Sequence, residues 1–275
     1  MADLLSRWHE ALAEQSPVAV ATVIQGPEGS LGGKVLVSPE DHIGTAGNDD
    51  LDRAIVEGAR AMLEGGRTGT VHYGPRGQRR MEDVAVFIQS FAPPPRMYVF
   101  GAIDFASAVA RVGKFMGYRV IVCDARAVFA TRERFPSADE IVVAWPDEFL
   151  KTAEVDGRSV IAVLTHDPKF DVPVLKEALR TPAGYIGAMG SRRTHDNRTA
   201  RLKEEGVTDE QLARVSSPIG LDIGARTPEE TAIAIAAEIV ALRTGHTGGR
   251  LAERSGPIHA TRPESRESTA ADRSR

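Results

Sequence analysis

Hydrophobic and polar positions alternate along the first third of the chain in short runs. Leu5, Trp8 and Leu12 fall on one face of a helical pattern that Pro17 ends. Val18–Ile24 is rich in β-branched residues and predicts a strand, followed by a glycine-rich turn at residues 26–33 and a second strand at Lys34–Ser38. A loop from Gly44 to Asp50 leads into a helix from Leu51 to Leu63, with Leu51, Ile55, Ala59 and Met62 as its apolar stripe and Asp49 or Asp50 as its cap. Thr70–Tyr73 and Val84–Phe91 predict further strands, and Gly74–Arg80 a basic hairpin loop. This pattern describes a small α+β domain over residues 1–92.

Pro93, Pro94 and Pro95 form a stiff, extended boundary that neither a helix nor a central strand tolerates. Beyond it, strands and helices alternate. Strands are predicted at Met97–Phe100, Arg119–Cys123, Glu140–Ala144, Ser159–Thr165 and Ala183–Ala188. Helices are predicted at Ile103–Gly117, Trp145–Thr152, Val172–Leu179, Thr194–Glu205 and Pro228–Arg243. The last helix has proline at its first position and buries Ala232, Ile235, Ala236, Ile239 and Leu242. Alternation of this kind implies an α/β fold: a Rossmann-like, doubly wound parallel sheet over residues 97–245. Residues 246–275 hold only two large aliphatics and predict a mostly disordered tail.

Composition fits a folded protein with a proper core: 275 residues, 42% hydrophobic and 26% charged. A net charge of −4 gives no basic surface for nucleic acid. No apolar run approaches the ~20 residues of a membrane span. The N-terminal pattern is amphipathic rather than that of a signal peptide, so a cytoplasmic location is expected. The single cysteine, Cys123, excludes an intrachain disulfide and a cysteine cluster, and the seven histidines have no ligand-like spacing; no metal site is predicted.

Candidate chemistry gathers at three turns. In Tyr185–Gly206, Gly187 and Gly190 bracket a tight turn, Ser191 suits a helix N-cap, and Arg192 and Arg193 stand in the first helical turn. Cations there oppose the helix dipole unless an anion lies beside them, so a phosphate or carboxylate ligand fits. Pairing with local acids such as Asp196 is the alternative. Gly101 opens a turn resembling the dinucleotide fingerprint, with Asp124 about 20 residues on, where ribose hydroxyls bind. However, Ile103 replaces the middle glycine and Asp104 places a negative charge near a pyrophosphate, so NAD or NADP is not expected to bind. His166 and Asp167 follow an apolar strand at the carboxyl edge, suited to proton transfer in a cleft. Equally, Asp167 could cap the following helix and His166 be an exposed loop residue. No catalytic residue is assigned.

The runs THDPKFD, YIGAMGSRRTHDNRTARLKEEGV and SPIGLDIGARTPEETAIAIAAEIVALRTG, in this order after a β-α-β unit, resemble the XdhC/CoxI family. SGPIHA near the end fits as well, and GSLGGKVLV with the Gly44–Asp50 loop resembles the family's N-terminal domain. The resemblance implies an accessory protein of molybdenum hydroxylases such as xanthine dehydrogenase and carbon monoxide dehydrogenase. Such a protein binds the molybdenum cofactor (molybdopterin or its cytosine dinucleotide) as cargo, assists its sulfuration and delivers it to the apoenzyme. It also implies a cysteine desulfurase as a further partner, and a homo-oligomer. Gly101, Asp124, His166, Asp167, Gly187, Gly190, Ser191, Arg192 and Arg193 are then the cofactor-binding candidates. Two stretches depart from the family pattern. The glycine-rich, cysteine-containing run is replaced by residues 44–52, and the first turn reads Gly101-Ala102-Ile103-Asp104 instead of Gly-Ala-Gly-His. A nicotinamide-dependent oxidoreductase and an adaptor with a vestigial cleft are the competing readings.

Overall fold

The structure, a computed structural model, describes residues 2–78, 81–165, 167–253 and 255. The first half forms an antiparallel sheet of β1 (Val18–Gln25), β2 (Lys34–Val37), β3 (His42–Thr45), β4 (Gly69–Tyr73) and β5 (Val84–Phe91), in the order β3-β2-β1-β5-β4. Successive side chains of a strand face opposite ways, and here both faces are covered. Ala19, Ala21 and Val23 of β1 pack against Leu51, Ile55 and Ala59 of helix α2 (Asp49–Glu64). Val18 and Val20 face helix α1 (Ala2–Ala13).

The structure corrects two local expectations. Helix α1 turns Leu4, Trp8 and Ala11 inward and leaves Leu5 and Leu12 about 40% exposed. Trp8 belongs to both stripes. Its ring packs at 5.6 Å from that of Phe91, and the small Ala11 on the same side lets the helix approach the sheet. The cap of α2 is Asn48, not Asp49 or Asp50. Its Oδ1 accepts the Leu51 N–H at 2.9 Å while its amide donates to the Pro75 carbonyl at 3.0 Å. An aspartate could accept the first bond but not donate the second. The basic-loop expectation at Gly74–Arg80 falls partly outside the described residues.

Pro93–Pro95 join β5 to β6 (Arg96–Phe100), the first strand of a second sheet. Its other strands are β7 (Arg119–Cys123), β8 (Glu140–Val142), β9 (Val160–Val163), β10 (Tyr185–Ala188) and β11 (Val215–Ser216). All pair in parallel, in the order β11-β10-β9-β6-β7-β8. This is the doubly wound order, with the chain reversing direction between β6 and β9. Helices α3 (Asp104–Phe115) and α8 (Pro228–Thr244) cover one face. Helices α4 (Pro146–Thr152), α5 (Pro168–Ala178) and α6 (Arg192–Glu204) cover the other, with the short α7 (Asp209–Leu212) alongside.

Helix α5 begins at Pro168 rather than Val172. Pro173 inside the run suggests a later start by its missing N–H, but Pro168 at the first position, behind the Asp167 cap, begins the helix. Helix α8 leaves Leu242 55% exposed and buries Ala234 and Ala241 in its place. The 217–221 segment packs along that side, where the Leu221 N–H donates to the Ala234 carbonyl at 3.1 Å. Neither α7 nor β11 is foreshadowed by the sequence pattern. The tail expectation for residues 246–275 falls mostly outside the described residues. Among the described residues, no helix is long and apolar enough to cross a membrane.

Candidate functional site

The site lies at the carboxyl edge of the parallel sheet, where the chain reverses between β6 and β9. Gly101 leaves β6 with φ +103°, and a Cβ there would stand 2.7 Å from the Thr165 Cγ2 and 3.0 Å from its nitrogen. Only glycine lets the two strand ends approach so closely. Its N–H donates to the Cys123 carbonyl at 2.9 Å.

Asp124, at the end of β7, is buried and already occupied. Its Oδ2 accepts from the Ala102 N–H at 2.7 Å and from Arg126 Nη2 at 2.8 Å. Its Oδ1 accepts from the Arg126 backbone N–H and from Arg126 Nε, both at 2.9 Å. A carboxylate has about four acceptor positions, and these four donors fill them. Burial pushes the Asp124 carboxyl up, but the Arg126 guanidinium and the two backbone N–H groups outweigh it and hold it below the usual carboxylate range. Arg126 stacks on Phe129 at 4.6 Å. Arg134 donates to the Ala102 carbonyl at 3.0 Å and to Asp104 Oδ1 at 3.1 Å, so the charge of Asp104 at this turn is paired.

At the end of β9, Asp167 caps α5 by accepting the Lys169 N–H at 3.1 Å and pairs with Lys169 Nζ at 3.4 Å. Its charge reaches Arg126 and helps to hold that guanidinium protonated. His166 lies outside the described residues. Thr165, buried beside Gly101, donates its hydroxyl to Asp171 Oδ1. Asp171 in turn accepts from Arg198 Nη2 at 2.8 Å, and the same nitrogen donates to the Met189 carbonyl at 2.8 Å. Arg198 Nη1 reaches Ser217 Oγ at 3.3 Å. This buried ion pair ties the ends of β9 and β10 to helices α5 and α6.

The third edge is the turn after β10. Gly187 does not bracket that turn. It lies inside β10, where a Cβ would stand 2.5 Å from Ile219 Cδ1 and 2.7 Å from the Tyr185 hydroxyl oxygen. It is a packing glycine. Gly190 does open the turn, with φ +149° and Thr194 Cβ 3.0 Å from where its own Cβ would be. Ser191 caps α6, its Oγ accepting the Thr194 N–H at 3.2 Å. Arg192 and Arg193 are exposed, and neither makes a hydrogen bond or ion pair among the described residues; the alternative pairing with Asp196 does not occur.

Gly101, Asp124, Asp167 and Gly190–Arg193 therefore share one edge, while Gly187 sits a layer below. Sequence reasoning missed Arg126, Arg134, Asp171 and Arg198. For Arg198 a signal existed: Thr194, Arg198 and Leu202 stand at i, i+4 and i+8, and the buried Leu202 marks that stripe as the inward face of α6. Cys123 is buried with its Sγ donating to the Ala144 carbonyl at 3.5 Å. Burial, then the neighbouring Asp124 charge, push its thiol up to about 12. Among the described residues, no group of three His, Cys, Asp or Glu side chains could hold a metal ion.

Residues 97–239 match the XdhC Rossmann domain, and residues 11–74 match the XdhC and CoxI family. A Bacillus subtilis protein described as a probable subunit of xanthine dehydrogenase is 34% identical over 158 residues, 58% of this chain and 46% of its own length. An uncharacterised Escherichia coli protein, YqeB, is 28% identical over 90% of this chain and 47% of its own. The Escherichia coli molybdenum cofactor insertion chaperone PaoD is 27% identical over 57% of this chain and 43% of its own. The chain thus spans a little under half the length of these relatives. A crystal structure of a Bacillus halodurans protein described as a xanthine dehydrogenase superposes with a TM-score of 0.61 at 22% identity, covering 87% of this chain and 66% of the other, and supports the fold. With the doubly wound order of a Rossmann domain and more than half of the sequence matching, the chain belongs to the XdhC/CoxI family.

Proposed function

We propose that this chain is a cytoplasmic accessory protein of molybdenum hydroxylases of the xanthine dehydrogenase or carbon monoxide dehydrogenase type. It holds the molybdenum cofactor, as molybdopterin or its cytosine dinucleotide, by the phosphoryl end and delivers it to the apoenzyme. The observation that carries this reading is the pair of arginines, Arg192 and Arg193, that have no partner among the described residues and stand in the first turn of a capped helix at the carboxyl edge. Their backbone N–H groups have no intrahelical acceptor, and the helix dipole favours an anion beside them. The relationship to PaoD, named as a molybdenum cofactor insertion chaperone, supports the choice of cargo.

The chain's own residues act by binding and orienting. Guanidinium groups and first-turn N–H groups take the phosphoryl oxygens. Cys123, buried with a raised pKa, is unsuited to carry sulfur, so any sulfuration falls to a partner such as a cysteine desulfurase. Nicotinamide cofactors are left out of this reading because Arg126 fills the acceptor positions of Asp124 that a ribose would need.

A charge-assisted hydrogen bond contributes roughly 1.5–3 kcal/mol, so Arg192→Ala is expected to weaken molybdopterin binding by about one to two decades. Its melting temperature is expected to stay level or rise slightly, since a cation leaves the positive end of a helix. Unchanged affinity for molybdopterin and for its cytosine dinucleotide would sink the proposal.

A further inference from the structure

A cleft between α5 and α6 lies beside the carboxyl edge. Arg193, Asn197 and Arg201 stand at i, i+4 and i+8 on one face of α6 and line it, spread over ~12 Å of helix axis. None of the three makes a hydrogen bond or ion pair among the described residues. Other cations nearby do find partners: Lys203 pairs with Asp209, and Lys176 with Glu205 at 2.8 Å.

The cleft gives a second and independent sign. Arg198 lines it at 5% exposure, and although both its terminal nitrogens are engaged, its Nε is buried with no hydrogen-bond partner among the described residues. A buried donor without an acceptor is rare in a folded protein and calls for a reason. Among the described residues Asp171 is the one acid lining the cleft, and Arg198 and the Thr165 hydroxyl are among its partners, so three arginines face one neutralised carboxylate. The volume is about 140 Å³, well below the ~300 Å³ at which pockets for whole organic ligands begin, and it suits a single tetrahedral anion.

We propose that this cleft is an oxyanion pocket that takes a phosphoryl group, adjoining the anion site at the Ser191 helix start and sharing Arg193 with it. Arg193 and Arg201 close on the anion from its two ends, Asn197 donates its amide between them, and the Arg198 edge forms the floor. The pocket stands whether or not the cargo is a molybdenum cofactor. Its phosphoryl group is either free phosphate or the second phosphoryl of a ligand already held at the helix start.

Calorimetry of the full chain with inorganic phosphate, at fixed ionic strength in chloride, tests the assignment. Arg201→Ala is expected to weaken phosphate binding roughly tenfold or more, as the loss of a charge-assisted contact does, with Arg201→Lys recovering part. Arg192→Ala should weaken a distinct phosphate-binding event, that of the helix start, and leave the event sensitive to Arg201 within about twofold, because Arg192 does not line the cleft. Both residues are exposed, so unchanged melting temperatures will verify the fold. Pyrophosphate then separates the two sources. If it displaces one phosphate of two, the pocket takes free phosphate. If one pyrophosphate per chain displaces both, the two sites read paired phosphoryl groups of a single ligand. No phosphate binding by the wild type at tens of millimolar (~1 mM corresponds to a weak anion site) overturns the proposal. So does an affinity unchanged in Arg201→Ala, or an equal loss in Arg192→Ala and Arg201→Ala. In the last case the helix-start site survives without the cleft, so the two readings fail separately.

Discussion

Removing the guanidinium of Arg198 should destabilise the second sheet more than any substitution at the exposed arginines. Arg198→Met keeps an unbranched stem of similar reach and deletes three contacts: Asp171 Oδ2 and the Met189 carbonyl, both at 2.8 Å, and Ser217 Oγ at 3.3 Å. Asp171, 2% exposed, loses its cationic partner. Breaking one side of a buried pair typically costs ~3–5 kcal/mol. Deleting the orphaned Nε returns part of this, because an unsatisfied buried donor carries a penalty of ~1–3 kcal/mol. The net expectation is a loss of about 2–4 kcal/mol, a large share of the ~5–15 kcal/mol that folded proteins hold. Urea unfolding followed by tryptophan fluorescence in a Trp8→Phe background reports it locally: the Trp145 ring lies 5.1 Å from that of Phe170, the residue before Asp171. The double variant Arg198→Met with Asp171→Leu should recover part of the loss, since an apolar replacement of both charges removes the uncompensated carboxylate while the Thr165 hydroxyl and the Met189 carbonyl still lose their partners. A loss below ~1 kcal/mol for Arg198→Met, or a double variant no better than the single one, would refute the buried-charge reasoning.

Three further outcomes follow from the geometry. Gly187→Ala should destabilise by ~1–3 kcal/mol through overpacking against Ile219, and Ile219→Ala in the same chain should relieve much of it; thermal melts of the single and double variants decide. Asp124 has a lowered pKa in the folded chain, so its contribution is complete above its unfolded value near 3.8 and is lost as pH falls through the lower folded value. Asp124→Asn should accordingly flatten the acid limb of stability below about pH 4, and a limb identical to wild type would contradict this. Cys123 should ignore a thiol-titrating disulfide at pH 8 in the native chain and react, one thiol per chain, after unfolding; rapid native reaction would show that the strand opens.

The doubly wound sheet was legible because its evidence is local: short apolar strands, among them those that lead into Gly101, Asp124 and Thr165, alternate with helical periods. The antiparallel half was legible as strands but not as an order, because its pairing joins residues as distant as Val18 and Phe91. Ser191 was readable as a cap, since one hydroxyl and one N–H three residues on decide it. Gly187 reads as a turn residue in sequence because its reason is Ile219, 32 positions away and recognisable only once the 217–221 segment lies against β10. Asp124 is marked by its place at a strand end, which holds. Its saturation depends on the rotamer of Arg126, and no spacing rule carries that. Asp171 looks like an ordinary surface charge in sequence and Arg198 is marked only by sharing the helical stripe of Leu202; the packing of α5 on α6 is what buries them together.

The closure of Asp124 also bears on how such a corner changes over evolutionary time. Three of its four donors belong to one residue, Arg126, two positions along the same loop. Two of those three are side-chain nitrogens, so a single codon change at position 126 would expose a buried carboxylate at the switch point without touching the sheet or the helix behind it. A ribose-reading corner and a self-sealed one thus stand one mutational step apart on the same scaffold. Drift in ligand class among proteins of this architecture can therefore begin at this loop, ahead of any change in the frame that carries it.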